Sequence, residues 1–383
     1  MAAGIYLHIP FCKSRCSYCD FATDVWRSSD AVHRYVDSLC SEIRNSQFEI
    51  RNFVDTIYFG GGTPSLVEPK QVNQILETVR SKFNIAENAE ITLEINPGAM
   101  TAESLLAYHG LGVNRASFGV QTFNDRHLKL LARGHDANDA RQTFKLLRDA
   151  GFDNISFDLI AGLPGQTMGD WRRNLEEAVT LGPEHISLYL LEIHEGTPLA
   201  EQLRTGRRAP PDEDLAAEMY ELMIDRLADS GYIQYEISNF SKPGFESHHN
   251  TKYWRLDPVF GFGVSAHSFD GRQRYANERD TVKYVQQIEE NQRAEVFRET
   301  TDAASEFIFL GLRLNAGIDL DEYRQRFQID IEEKYRDEIG RFLDESLVEI
   351  VSGHLRLTRK GMLFSNEVFA AFIPDHDASV IAN

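Results

Sequence analysis

The feature that most constrains the fold is a regular alternation of short apolar runs and helical segments along the first half of the chain. Four helical segments lie between the apolar runs, at Pro69–Phe83, Ala102–His109, Ala137–Ala150 and Asp170–Leu181. This alternation predicts an α/β fold in which helices cover a parallel sheet. No nucleotide-binding fingerprint follows the first run, which favours an open or partial barrel over a doubly wound sheet. The predicted strands are Ile5–Ile9, Thr56–Phe59, Ile91–Ile95, Ala116–Val120, Ile155–Ile160 and Ile186–Leu191.

The second half of the chain differs in composition and predicts two further parts. Residues 1–210 form the alternating core, and residues 211–300 contain a predicted helix at Leu215–Ser230 and an aromatic, glycine-rich stretch at Tyr232–Phe269. Residues 301–383 predict a smaller α+β domain that resembles a winged helix. Its predicted elements are helices at Glu306–Arg313, Ile318–Phe327 and Ile331–Glu345, a hairpin of Leu347–Val351 with Leu355–Thr358, and a last helix at Lys360–Phe372.

Composition excludes several classes of partner. The 383 residues carry 40 Lys and Arg against 59 Asp and Glu, a net charge of −19. Nucleic-acid backbones and anionic lipid surfaces require a positive surface, so neither is expected as the main partner. A small basic patch at Arg204, Arg207 and Arg208 is the local exception. No run approaches the roughly 20 apolar residues of a membrane span, and no secretory signal is seen, so we expect no membrane insertion and a cytoplasmic protein.

Three of the four cysteines, Cys12, Cys16 and Cys19, lie within eight residues of one another. Thiolates prefer soft metals and iron–sulfur clusters, and a four-iron cubane held by three cysteines keeps one iron open to a small molecule. A zinc site with His8 as a fourth ligand is an alternative, although zinc sites usually pair two separated ligand pairs. A disulfide within this cluster would leave one cysteine unpaired. The fourth cysteine, Cys40, lies alone in a helical segment, where we expect a buried free thiol. The spacing favours a [4Fe–4S] cluster.

Polar residues follow the six predicted strands, where parallel folds place their ligands. We therefore expect one rim to collect the cysteine loop and the polar residues at the ends of the other strands. Singly, each of these residues has a simpler explanation as a solvated side chain or a tight turn. The set comprises Gly60–Pro64, Glu94–Pro97, Gln121, Asp158 with Gly162–Gly165, and Glu192.

The segment Tyr6–Cys12, followed by Cys16 and Cys19, resembles the radical S-adenosylmethionine (SAM) superfamily, whose signature is Cys-x3-Cys-x2-Cys. The chain is similar to the branch that contains oxygen-independent coproporphyrinogen III oxidases and haem chaperones of the HemW type, and Gly60–Pro64 and Asp158–Gln166 agree with that branch. The resemblance covers nearly the whole chain. It implies a partial (β/α)6 TIM-like barrel, a [4Fe–4S] cluster on the three cysteines, and SAM on the open iron. One electron from such a cluster cleaves SAM and yields a 5′-deoxyadenosyl radical.

The same resemblance implies which residues contact SAM. Glycine backbone approaches the methionyl group closely, Asp158 and Gln121 suit ribose hydroxyls, Arg133 suits a carboxylate, and Glu94 suits a positive group. The complete implied set is Tyr6, Tyr18, Gly62, Thr63, Glu94, Gln121, Arg133, Asp158 and Glu192.

Within the branch, the residues favour a haem chaperone over an oxidase. The oxidase has a further cysteine two positions after the third cluster ligand, where this chain has Phe21. The oxidase also has an extension before its first strand, whereas this chain begins only three residues before that strand. The run His249-Asn250-x-x-Tyr253-Trp254 matches a His-Asn-x-x-Tyr-Trp pattern of HemW proteins. A neutral imidazole beside aromatic rings suits an iron porphyrin. The alternative for His249 is a packed surface loop.

These features imply a chaperone that binds haem near His249 and transfers it to haem-dependent respiratory proteins, with a homodimer as a further expectation. The competing hypothesis is a radical enzyme that converts coproporphyrinogen III to protoporphyrinogen IX by oxidative decarboxylation. A third hypothesis, a radical enzyme acting on tRNA, is disfavoured by the acidic charge.

Overall fold

The computed structural model describes residues 2–25, 28–47 and 53–373. Its centre is a 12-stranded sheet, to which the alternating half of the chain contributes six parallel strands. All six predicted strands and all four predicted helices of that half are confirmed. The elements are β1 (Ala3–Ile9), β2 (Phe11–Cys12), β3 (Asp24–Val25), α1 (Ser29–Asn45), β4 (Phe53–Gly61), α2 (Pro69–Lys82), β5 (Asn84–Ile95), α3 (Ala102–Gly110), β6 (Arg115–Gln121), α4 (Asp125–Leu130), α5 (Ala137–Asp149), β7 (Ile155–Ala161), α6 (Met168–Leu181), β8 (His185–Leu190) and α7 (Pro198–Arg204).

Short polar residues fix where the helices begin. Thr167 caps α6, because its side chain accepts a hydrogen bond from the Asp170 backbone while Asp170 bonds back to the Thr167 backbone. Asp136 and Asp139 form the same reciprocal pair at the start of α5. Helix α6 ends at Gly182, whose φ of 69° is readily adopted by glycine. These caps position the loops that follow β6 and β7.

The strand order explains the shape of the core. The six parallel strands pair in the order β1-β4-β5-β6-β7-β8, which is their order along the chain. Right-handed crossovers in that order place every connecting helix on one face, so the other face becomes a concave interior. Strand β1 pairs with β11 rather than with β8, and the sheet stays open. The predicted partial barrel is therefore confirmed.

Residues 211–300 extend this sheet at both edges. Strands β9 and β10 continue antiparallel beyond β8, and β11 to β14 continue beyond β1. The sequence predicted only a helix and an aromatic stretch here, because the strands are just three to six residues long and are closed by glycine-containing turns. The elements are α8 (Glu213–Ala228), β9 (Ile233–Glu236), β10 (Asn239–Ser241), α9 (His248–Trp254), β11 (Val259–Phe262), β12 (His267–Phe269), β13 (Gln273–Asn277), α10 (Thr281–Asn291) and β14 (Glu295–Thr300).

The carboxy-terminal module has its own apolar core and a three-stranded sheet in the order β15-β17-β16. The predicted hairpin is confirmed. The predicted helix from Ile318 begins instead as a two-residue strand, and two other predicted helices are divided at Tyr335 and Phe364. Residues 374–383 of the predicted domain lie outside the described ranges. The elements are α11 (Ala303–Gly311), β15 (Ile318–Asp319), α12 (Leu320–Phe327), α13 (Ile331–Lys334), α14 (Arg336–Asp344), β16 (Val348–Val351), β17 (His354–Leu357), α15 (Arg359–Leu363) and α16 (Ser365–Ala370).

The two faces of the parallel strands differ in chemistry. Residues such as Ile5, Ile57 and Leu93 join the apolar core with the surrounding helices. The alternate residues face the concave side and are polar or aromatic, and Tyr6 stacks there on Tyr58. Among the described residues, no helix has both the length and the apolar character needed to span a bilayer.

Candidate functional site

The cysteine loop lies at the carboxyl end of β1. Cys12 ends β2, while Cys16 and Cys19 lie in the following turn, and all three thiols are free and partly exposed. Ser17 fastens the turn, because its backbone N–H donates to Leu131 O at 3.0 Å and its hydroxyl donates to Leu130 O at 3.0 Å. The end of α4 therefore fastens the loop through Ser17.

The glycine run after β4 lies directly against this loop. The Gly62 N–H donates to Ile9 O at 2.8 Å, and a Cβ at Gly62 would lie only 2.6 Å from Pro10 O. Gly61 has a φ of +114°, which other residues rarely adopt. The run is therefore more than a tight turn, because it permits backbone contact that any side chain would prevent.

A chain of polar contacts joins two of the cysteines. The Thr63 hydroxyl donates to Cys12 Sγ at 3.7 Å and accepts from Asn96 Nδ2 at 2.7 Å. Arg133 donates through Nη2 to Asn96 Oδ1 at 2.9 Å and through Nη1 to Cys16 Sγ at 3.5 Å. The guanidinium thus lies against a sulfur that is a candidate metal ligand. Asn96 completes this chain, although the sequence singled it out only as part of a strand-end motif.

The donor set fits an iron–sulfur cluster better than a zinc ion. Burial raises the pKa of the Cys12 and Cys19 thiols, and a bound metal would favour their thiolate forms. The alternative fourth zinc ligand, His8, has both ring nitrogens occupied, since Nε2 donates to Ala22 O at 2.9 Å and Nδ1 lies 3.1 Å from the Tyr6 hydroxyl. Within residues 2–25, 28–47 and 53–373, no three His, Cys, Asp or Glu side chains are grouped around a single-ion site.

Two partly buried carboxylates, Glu94 on β5 and Asp158 on β7, face the concave side of the sheet. Glu94 accepts from the Tyr58 hydroxyl at 2.8 Å and from the Gly61 N–H at 3.1 Å, yet burial raises its pKa to about 7. Burial also raises the pKa of Asp158, which a hydrogen bond from Ser187 partly offsets. Neither has a cation within 4 Å in the described part of the chain. A bound cationic ligand is the chemistry that would stabilise both as anions.

The other implied SAM residues differ in how well the structure places them. Gln121 is buried, and its backbone has a left-handed φ of 64°. Its side-chain amide packs against Gly119, where a Cβ would lie 2.4 Å from the amide nitrogen. Tyr18 packs on the leucines behind the cysteine loop, beside Arg133. Glu192 is not brought into the group: its side chain is 77% exposed and contacts His194 at 3.5 Å.

Arg115 is an interior residue that the sequence analysis did not single out. It begins β6, is 1% exposed, and its Nε has no hydrogen-bond partner among the described residues. Its positive charge lowers the pKa of Glu94, Asp158 and the buried His185. The only sequence signal was a charged residue at the start of an otherwise buried strand.

His249 lies at the opposite end of the barrel. It is 1% exposed on α9, where its Nδ1 lies 2.9 Å from the Thr56 hydroxyl and its Nε2 lies 3.1 Å from the Tyr253 hydroxyl. Its ring stacks on Tyr58 with centroids 5.1 Å apart, and burial lowers its pKa to about 3. Thr56 precedes Gly61 by five residues on β4, or about 16 Å of strand. The structure therefore does not group His249 with the cysteines.

Helix α9 closes the floor of the barrel through paired polar groups. The Glu90 carboxylate accepts the backbone N–H groups of His249 at 3.0 Å and of His248 at 3.1 Å. Lys252 forms an ion pair with Asp55 at 2.7 Å and donates to Ala2 O at 2.9 Å. The His-Asn-x-x-Tyr-Trp run is thus a well-bonded helix rather than a surface loop.

Comparisons with known proteins agree with this architecture. The profile of the radical SAM superfamily matches residues 6–178, and that of the HemN C-terminal domain matches residues 299–364. The haem chaperone HemW of Lactococcus lactis is 36% identical over 97% of both chains. The Escherichia coli HemW is 32% identical, over 97% of this chain and 98% of that protein. The structure of E. coli coproporphyrinogen III oxidase (HemN) superposes with a TM-score of 0.85 at 24% identity, covering 97% of this chain and 90% of that one.

Proposed function

Because this chain belongs to the HemW family of the radical SAM superfamily, we propose that it is a haem chaperone that binds haem and transfers it to a haem-dependent acceptor. Full-length similarity to proteins named for this activity supports the proposal. The observation that carries it is the geometry of His249 within the His-Asn-x-x-Tyr-Trp run.

The His249 imidazole is held as a haem ligand would be, but a tyrosine hydroxyl occupies the position that iron would take beside Nε2. Its Nδ1 is held by the Thr56 hydroxyl, as ligating histidines are usually held through their second nitrogen. Its Nε2 contacts only the hydroxyl of Tyr253, a partly exposed side chain. The low pKa keeps the ring neutral, which is the form that binds iron. Movement of Tyr253 would free Nε2 and leave an aromatic surface beside it, formed with Trp254.

A pair of variants tests this proposal. Tyr253→Phe removes only the hydroxyl that occupies Nε2, so it should bind haem at least as tightly as the original chain. His249→Ala should lose the axial ligand and shift the Soret band, whereas the exposed neighbour His248→Ala should behave as the original chain. Haem titration followed by absorption spectroscopy, on variants shown to be folded, is the measurement. Equal affinity and identical spectra for His249→Ala and the original chain would remove His249 from the proposal.

At the rim, we propose that Cys12, Cys16 and Cys19 hold a [4Fe–4S] cluster with SAM on its open iron. When bound, the cluster supplies one electron to the SAM sulfonium. The Gly62 backbone would accept a hydrogen bond from the methionyl ammonium. Glu94 would bind a positive group of the ligand, and Asp158 would accept hydrogen bonds from its hydroxyl groups. Arg133 and Thr63 would donate to the cysteine sulfurs, as they already do in their present contacts. The remaining proposed contacts are Tyr6, Tyr18 and Gln121, with Glu192 the least supported because it is exposed.

The finer parts of the proposal concern the partners and the compartment. We propose that the acceptors are haem-dependent respiratory proteins and that the chaperone acts in the cytoplasm, as a homodimer. Light scattering of the purified chain with and without its cluster tests the dimer. A monomer under both conditions would exclude it.

The second candidate is oxygen-independent coproporphyrinogen III oxidase activity. The polar interior beside the three-cysteine loop favours it, since both are what a radical reaction on a bound porphyrinogen requires. Phe21, 66% exposed at the position of the further oxidase cysteine, argues against it. An anaerobic assay with reductant, SAM and coproporphyrinogen III decides between the two. Catalytic formation of protoporphyrinogen IX would replace the chaperone proposal.

A further inference from the structure

A basic cavity lies behind the cysteine loop and is not used by the proposed function. It has a volume of about 440 Å³ and is lined by Arg126, Lys129, Leu130, Pro164 and Arg208. Arg126, Lys129 and Leu130 stand three and four residues apart on one face of α4, while Pro164 and Arg208 come from the loops after β7 and α7. Three segments therefore line one opening, and two of them supply its three cations.

These cations have no acidic partners. Within the described ranges, no carboxylate lies within 4 Å of Arg126, Lys129 or Arg208, and Arg208 bonds only to Gln202, at 2.7 Å. Nearby Arg204, in contrast, forms an ion pair with Glu201 at 2.7 Å. Unpaired cations stand out in a chain with a net charge of −19. They create a local positive field that attracts an anionic partner.

The cavity is continuous with the cysteine loop. Leu130 lines the cavity, and its carbonyl accepts the hydrogen bond from Ser17, which lies between Cys16 and Cys19. The loop also presents two exposed cations, Lys13 and Arg15, for which the described residues again provide no ion pair. We call Lys13, Arg15, Arg126, Lys129 and Arg208 the basic face.

The shape of the basic face favours an acidic protein as its occupant. The apolar part of the cavity lining, which includes Leu130 and Pro164, is much smaller than the flat face of a porphyrin. Five cations spread over a helix and two loops match a cluster of surface carboxylates better than one small anion. The cysteines that would hold the cluster lie next to this face. An electron would therefore travel only a short distance from a protein docked there to the cluster.

We propose that the basic face docks an acidic electron-carrier protein of the ferredoxin class. The proposal rests on the cluster assignment within the proposed function, but not on haem transfer. The carrier is oxidised by one electron and the cluster is reduced by that electron, with no bond formed or broken and no proton transferred. The five cations act only in docking.

Binding provides the first test, with the full-length, anaerobically purified protein and a plant-type ferredoxin as the probe. The variant Arg126→Glu/Lys129→Glu should weaken ferredoxin binding at least tenfold at low salt, in line with the size of electrostatic steering effects. The control Lys283→Glu/Arg336→Glu makes the same charge change at two exposed positions elsewhere, and should bind as the original chain does. Rising salt should remove the difference between the two double variants.

The rate of reduction provides the second test. Reduced ferredoxin should reduce the Arg126→Glu/Lys129→Glu cluster at least tenfold more slowly than the control cluster, whereas dithionite should reduce both at the same rate. Equal rates with ferredoxin, or tight binding of pyrophosphate at the cavity without any ferredoxin binding, would overturn the proposal. Failure of haem transfer with intact ferredoxin binding would count only against the chaperone function.

Discussion

The two ends of the barrel differ in how completely their polar groups are paired. At the floor, Glu90 accepts two backbone N–H groups and Lys252 pairs with Asp55. At the rim, Glu94 and Asp158 are partly buried and have no ion pair in the described part of the chain. Buried charge without a partner is costly, so a fold retains it where a ligand completes the pairing. The floor groups named here are paired with one another, whereas these two rim carboxylates have no ion-pair partner in the described part of the chain.

The largest effect is expected from removing the thiols of the rim. Replacing Cys12, Cys16 and Cys19 together with serine should abolish cluster iron and sulfide, because serine offers no soft sulfur donor. Cys40→Ser is the matched control, since this thiol is buried on α1 and donates to Gln74 O at 3.9 Å. Iron and sulfide analysis after anaerobic reconstitution measures both. Cluster retained by the triple variant would show that the rim is not the cluster site.

A substitution at the floor should lower the stability of the fold rather than the cluster content. His249→Ala leaves a cavity and unpairs the Thr56 and Tyr253 hydroxyls, so we expect the free energy of unfolding to fall by about 3 kcal/mol. His248→Ala, at the exposed neighbouring position, should change it by less than about 0.5 kcal/mol. Urea denaturation measures both values, and similar small changes would mean that the floor is not tightly packed.

A side chain added at the glycine run should disturb the rim and leave the floor unchanged. A Gly62→Ala side chain would meet Pro10 O at 2.6 Å, and displacing that backbone should cost about 1–3 kcal/mol and lower cluster occupancy. Gly134→Ala is the control, because its Cβ would have no neighbour within 4 Å. Iron content per chain is the measurement. Full occupancy in Gly62→Ala would contradict the close contact between the glycine run and the cysteine loop.

The smallest expected effect is a pH dependence of SAM binding. Because the pKa of Glu94 is raised to about 7, this carboxyl becomes protonated as the pH falls below 7 and no longer attracts a cation. SAM affinity should therefore fall by about tenfold between pH 7 and pH 5.5. Glu94→Gln should bind weakly at both pH values. Equal pH profiles for the variant and the original chain, from calorimetric titration, would assign the titration to another group.

The residues expected at the rim were found because their signals are local in the sequence. Cysteine spacing, the glycine run and strand-end polar residues all lie next to punctuated strands, and parallel topology brings strand ends together. The family resemblance then assigned roles to Arg133 and Asp158, which composition alone left as ordinary polar residues. The predicted contact at Glu192 fits less well, because a position after β8 does not fix the direction of a side chain.

The contacts of the floor could not be predicted from the sequence because they join distant segments. His249 pairs with Thr56 across 193 positions, and no local pattern encodes that contact. The short strands from β9 to β14 were missed for the same reason, since they exist by pairing with the edges of an already formed sheet. Arg115 was missed because its significance depends on what the barrel places around it.

The central claim is that three rim cysteines hold a cluster with one coordination position open to SAM. Electron paramagnetic resonance of the anaerobically reconstituted, reduced protein, recorded before and after addition of SAM, tests it most directly. The account predicts a [4Fe–4S] signal that changes on addition. An unchanged signal, or a preparation that contains zinc in place of iron and sulfide, would contradict it.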